Sequence, residues 1–225
     1  MNFSERIIGM FVNPDKTTED IANKPRIGEA LVIMGIYAIL VMLSAYIVSS
    51  HISYVYKIPG VSQSGLQNAP IISRIITLAF DLALPLILWP VITGFLHIFA
   101  RLFGGKGKFF PQMMTVLGYT DVVKIITFII FIILFTQLPY VTVEISGWNI
   151  LSTISSIMTS PVCQSMYFKA GNIVIILGMI ISSLMGVFAI KNGEKLTLVQ
   201  SAIVIGIPLL IYVIIELVIL AIILL

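Results

Sequence analysis

Two carboxylates, Asp81 and Glu216, stand inside long apolar runs and are the side chains best placed to do chemistry there. An acid near the centre of a membrane helix costs about 2.5–3.5 kcal/mol on an insertion scale, so it normally faces a bundle interior or a cavity. Pro85 follows Asp81 by four positions and removes the helical N–H that the Asp81 carbonyl would otherwise accept. Acid and proline therefore form one local feature, and they predict a broken second span with Asp81 near the midplane. Three roles fit Asp81. It is a hydrogen-bonded clamp between helices, with Thr127 or Tyr212 as partner; a proton or cation site on a path shared with Glu216; or part of a pocket for a lipid or lipidated partner.

Other chemistry finds little support. His51 and His97 belong to opposite ends of different spans, so neither offers the i,i+4 pair of a metal motif. Cys163 is the single cysteine, which excludes an intrachain disulfide and a cysteine metal cluster. No Gly-x-Ser-x-Gly elbow is present. Gly104-Gly-Lys-Gly-Lys-Phe109 has the look of a phosphate loop, but no Ser or Thr follows Lys108. A tight turn whose lysines meet anionic headgroups accounts for it better. The sequence thus calls for no catalytic residue, no metal and no cofactor. Gly178, Ser182 and Gly186 recur every fourth residue, a small-residue stripe for close helix packing within the chain or in a dimer.

The elements that must position these residues follow from composition. The chain has 225 residues, 59% hydrophobic and 10% charged, with mean hydropathy +1.10; a soluble domain carries about 25% charged residues. Its net charge of +3 therefore says nothing of nucleic acid, and none is expected as a partner. A bilayer core of about 30 Å needs about 20 apolar residues in helix. Segments near 27–50, 71–100, 115–138, 172–190 and 198–224 meet this, giving an all-α bundle of five spans. The runs lack the period-two alternation of a membrane barrel.

Arg6, Lys16, Lys24, Arg26, Arg101, Lys106, Lys108, Lys191, Lys195 and Lys124 fall to one side, against Lys57, Arg74 and Lys169. By the positive-inside rule the N-terminus is cytoplasmic and, after five crossings, the C-terminus is outside. Plasma or inner membrane is the expected location, with the bilayer, further copies and other membrane proteins as partners.

Residues 1–26 form a cytoplasmic segment ahead of the membrane domain at 27–225. Phe3, Ile7, Ile8, Met10 and Phe11 share one side of a short interfacial helix, with Glu5 and Arg6 turned away, and Asn13-Pro14 stops it. Thr17 and Asp20 have the spacing of a capping box for a second short helix that ends before Pro25. Between the third and fourth spans, Trp148, Ile150, Leu151, Ile154, Ile157 and Met158 fall at helical spacing and predict another interfacial helix.

Asp81-Leu-Ala-Leu-Pro85 resembles the Asp-Leu-x-Gly-Pro signature of the Yip family, five-pass membrane proteins named for interaction with Ypt/Rab GTPases. Leu102-Phe-Gly-Gly-Lys-Gly-Lys-Phe109 and Leu117-Gly118-Tyr119 resemble that family's Gly-rich turn and the Gly-Tyr pair opening its third span. Leu84 replaces the usual glycine, and no proline follows Tyr119 closely. The resemblance implies a minimal, prokaryotic-type member without enzymatic activity, acting in membrane organisation or in binding partners or lipid. Gly104, Gly105 and Gly107 would then form the cytoplasmic turn, and Tyr119 would anchor the start of the third span. A channel or transporter using Asp81 and Glu216 is the alternative.

Overall fold

The computed structural model describes residues 1–57, 69–146 and 160–224. Two short helices come first, α1 (Phe3–Val12) and α2 (Pro14–Asn23). The Asn2 side chain accepts from the Glu5 N–H at 2.9 Å, and the Glu5 carboxylate takes the Asn2 N–H at 2.7 Å. This reciprocal pair satisfies donors that a helix start leaves open. Asn13 closes α1 and caps α2, with Pro14 at the first helical position, where its missing N–H costs nothing. The cap of α2 is thus Asn13 rather than Thr17, whose hydroxyl donates to the Asn13 carbonyl at 2.8 Å.

Among the described residues, five helical stretches are long and apolar enough to cross a membrane: 27–50, 71–102, 109–135, 166–194 and 198–215. The first is α3 (Ile27–Ser50) and the second lies in α4 (Ala69–Leu102). The third begins with a wide turn, Phe109–Met113, and continues as α5 (Met114–Thr120) and α6 (Val122–Phe135). A single-turn helix, α7 (Pro161–Gln164), precedes α8 (Met166–Glu194), the fourth span. The last span lies in α9 (Leu198–Leu224).

Two departures from the predicted elements bear on function. Helix α4 runs without interruption through Pro85 and Pro90, so the second span is not broken. Each proline removes one hydrogen bond, a loss that neighbouring helices make tolerable in membrane spans. The interruption falls instead in the third span, where Asp121 separates α5 from α6.

The second departure is a pair of strands, β1 (Ile52–Lys57) and β2 (Val141–Ser146), aligned in parallel from Ile52 opposite Val141 to Lys57 opposite Ser146. They follow α3 and α6, which run in the same direction, so strands continuing from them meet in parallel. Ile52, Phe135, Leu138, Val143 and Val162 make a small core beneath them. The helix expected around Trp148–Met158 lies outside the described residues.

At the opposite, capped end, α1 and α2 fold over the bundle. Met10, Ile21, Ile33, Met113, Val116 and Ile190 are buried together there. The Lys191 ammonium donates to Asp15 Oδ2 at 2.7 Å, and the Asn192 amide donates to the Asp15 carbonyl and to Thr18 Oγ1, both at 2.8 Å. These contacts pin α2 to the end of α8.

Candidate functional site

Arg6 is fully buried rather than turned to solvent. Its guanidinium donates to Asp20 Oδ2, Glu29 Oε2 and the Lys24 carbonyl, each at 2.9 Å. The Tyr119 hydroxyl donates to the same Glu29 oxygen. A helix wheel cannot show this, because every partner lies 14 or more residues away in the chain. Burial resists ionisation of Asp20, but bonds from Arg6 and the N-terminal ammonium outweigh it and hold the carboxyl below its usual range. The bond from Lys191, helped by Asn192, lowers Asp15 likewise.

Gly118 and Tyr119 have linked jobs in this arrangement. A Cβ on Gly118 would lie 2.8 Å from the Ala30 Cβ and 3.2 Å from the Trp89 ring, so only glycine lets α5 approach α3 and α4 this closely. That approach brings Tyr119 to Glu29.

The Gly-rich turn cradles a carboxylate of the protein itself. Glu194 is fully buried; it accepts from the Gly107 N–H at 2.9 Å and pairs with His97 Nδ1. The Lys106 N–H donates to the Glu194 carbonyl at 2.8 Å, and Arg101 holds the Gly107 carbonyl at 2.6 Å. A Cβ on Gly105 would come within 2.7 Å of Glu194 Oε2 and 3.0 Å of the Ala100 carbonyl, and one on Gly107 would strike the Gly193 carbonyl. Gly104 has φ +85°, a conformation that favours glycine. The sequence offered no sign of Glu194, since nothing local distinguishes it from a solvated loop acid.

Between α4, the α5–α6 break, α8 and α9 lies a cavity of about 490 Å³. Asp121 and Lys124 stand on its wall, with Lys124 Nζ 2.7 Å from Asp121 Oδ1 and side chains 18% (Lys124) and 11% (Asp121) exposed. Ser182 donates to the same oxygen at 3.3 Å, and the Lys124 ammonium stands 5.6 Å from the centre of the Tyr37 ring. Trp89, 7% exposed, also lines the cavity, and its buried indole N–H has no acceptor among the described residues. Lys124 therefore belongs to the interior of the third span and not to the charged loops. Without it the basic residues on the two sides number nine and three. An intramembrane Asp three positions before a Lys was the available signal for this pair.

Asp81 and Pro85 are not among the residues that line the cavity. Arg74 donates to the Ser49 carbonyl at 2.8 Å, which sets α4 in register with the strand end of α3. Asp81, half-buried, is seven residues further along, about 10 Å at the helical rise. It lies four residues before the buried Pro85, which precedes Trp89 by four, so all three share one face. Trp89 is about 12 Å from the level of Asp81. Thr127 donates to the Lys124 carbonyl at 3.1 Å and is not the clamp partner of Asp81. Glu216 falls on α9, four residues beyond Tyr212, with its side chain outside the described residues.

The small-residue stripe packs within the chain. A Cβ on Gly178 would lie 2.6 Å from Thr127 Cγ2, one on Gly186 would lie 3.2 Å from Ile205 Cδ1, and Ser182 between them bonds Asp121. Helix α8 is thus wedged between α6 and α9.

Five apolar helices around an internal ion pair define a multi-pass membrane protein. The sequence matches the Yip1 domain over residues 8–221, and the chain belongs to the Yip1 domain family. A protein of Methanocaldococcus jannaschii described as uncharacterized is 31% identical over 115 residues, 50% of this chain and 76% of its own. No solved structure matches.

Proposed function

We propose that this Yip1-family protein is a non-catalytic organiser of membrane that holds a lipid inside its bundle, in the cavity beside the Asp121–Lys124 pair. The supporting observation is an otherwise largely apolar cavity with one ionic wall, the combination of greasy body and few polar groups that amphiphile sites have. Val91, Ile92 and Phe95 line it from α4 and are 59%, 52% and 58% exposed, so an acyl chain can pass between α4 and α9 into the bilayer. Further copies and other membrane proteins are the partners this role calls for. The nine-to-three distribution of basic residues supports a cytoplasmic N-terminus in a plasma or inner membrane.

Photoactivatable phospholipid, carrying its reactive group on the acyl chain, tests the reading in reconstituted protein. Crosslinks should concentrate on cavity residues such as Ile92 and Leu209. Crosslinks spread evenly over the lipid-facing surface would count against a held lipid.

A channel or transporter is the second reading, favoured by Asp81 lying on the same α4 face as Trp89. Proton or ion movement in liposomes that is lost in Asp81→Asn would establish it in place of the first.

A further inference from the structure

Resting on that reading, we propose that the cavity selects a neutral lipid alcohol, an acylglycerol bearing a free hydroxyl, over lipids with charged heads. Asp121 and Lys124 lie 2.7 Å apart and cancel one another within the span. A charged head arriving there would leave one charge uncompensated in a medium that solvates it poorly, so the balanced pair disfavours both anionic and cationic amphiphiles.

Hydrogen-bonding capacity narrows the class further. An ammonium has three donors, and among the described residues one of those on Lys124 is directed to Asp121. Asp121 Oδ1 already accepts from Lys124 and from Ser182, which among the described residues leaves Oδ2 to accept another donor. A hydroxyl satisfies both at once, donating to Asp121 and accepting from Lys124. A group that both donates and accepts, beside an apolar channel, describes the free hydroxyl of an acylglycerol.

The shape agrees. Leu96, Met179, Ile205 and Leu209 provide apolar walls beyond the pair, and about 490 Å³ lies within the size range of small-molecule sites. Ser183 lines the same space from α8 without belonging to the pair, so a larger residue there fills the cavity.

The chain has two tryptophans, and Trp148→Phe leaves Trp89 as the sole reporter. The full chain is placed in phosphatidylcholine nanodiscs and titrated with a monoacylglycerol brominated on its chain. The fatty acid and the alkyltrimethylammonium amphiphile with the same chain, one anionic and one cationic, serve as comparisons. Saturable quenching of Trp89 is expected from the acylglycerol at a mole fraction at least tenfold below that needed for either comparison. Asp121→Leu/Lys124→Met removes both charges together and should erase the tenfold preference. Ser183→Leu should abolish saturable quenching with the pair intact, which keeps the test decisive if the double variant does not fold. Equal quenching by all three amphiphiles would overturn the choice of head while leaving a lipid-binding cavity. Absence of saturable quenching by any of them would overturn the cavity as a lipid site as well.

Discussion

Arg6 shows how far the surroundings of one residue decide its role. Its place on an amphipathic helix puts it on the polar side, yet three partners from α2, the α2–α3 link and α3 draw it into the centre of the cap. Removing one member of a buried charge cluster typically costs about 3–5 kcal/mol, because the others keep their burial without their counter-charge. Arg6→Ala should therefore lower stability by about 3 kcal/mol, towards the lower figure because Asp20 and Glu29 stay partly exposed, as measured by unfolding in detergent. Tyr119→Phe should cost about 1.5 kcal/mol in the same assay through its lost bond to Glu29.

Asp15 and Asp20 also give the cap a pH dependence. Both are lowered in the folded protein, so their contribution is complete above the ordinary carboxylate value of about 3.9 and is lost as pH falls through the folded values. Hydrogen exchange should show α1 and α2 opening below about pH 4 while the spans stay protected, and Asp15→Asn should weaken this acid response. The Gly-Tyr pair was legible as a motif in the sequence, but its purpose was not. Glu29 and Arg6, the side chains it serves, are 90 and 113 positions away from Tyr119 in a folded contact that no local pattern encodes.

Among the elements, the Gly-rich turn separates glycines needed for space from those that are not. Gly107→Ala drives a methyl into the Gly193 carbonyl and should lower the unfolding midpoint clearly, a loss of about 2–3 kcal/mol. Gly206, inside α9, has nothing within 4 Å of its added Cβ, and Gly206→Ala should leave stability unchanged or raise it by up to about 1 kcal/mol. Comparing the two midpoints checks both. Hydropathy showed all five spans among the described residues, because lipid imposes a length and polarity that sequence displays directly. Proline alone does not set the position of the helix break. Pro85 sits in a continuous α4, whereas the pairing of Asp121 with Ser182 and Lys124 accompanies the interruption of the third span. The parallel strands were missed for a related reason, since their pairing depends on α3 and α6 delivering distant segments side by side.

At the scale of the whole molecule, the polar cap, the glycine cradle and the small-residue stripe all bring helices together around a cavity they do not fill. Orientation is checked by cysteine labelling. Burial pushes the Cys163 thiol up, so the native cysteine should react slowly. Lys106→Cys, in the exposed part of the turn, should react quickly and only with reagent on the cytoplasmic side. The spacing of Asp121 and Lys124 was a local signal, but the cavity beside them was not legible in the sequence, because it arises where four helices converge rather than in any one of them.

The cavity is expected to hold a lipid in the native membrane. Native mass spectrometry of the full chain, released gently from its own membrane, measures that directly. The wild-type protein should carry one lipid-sized adduct that is lost in Ser183→Leu. An adduct-free wild type, or the same adduct in both proteins, would contradict the account.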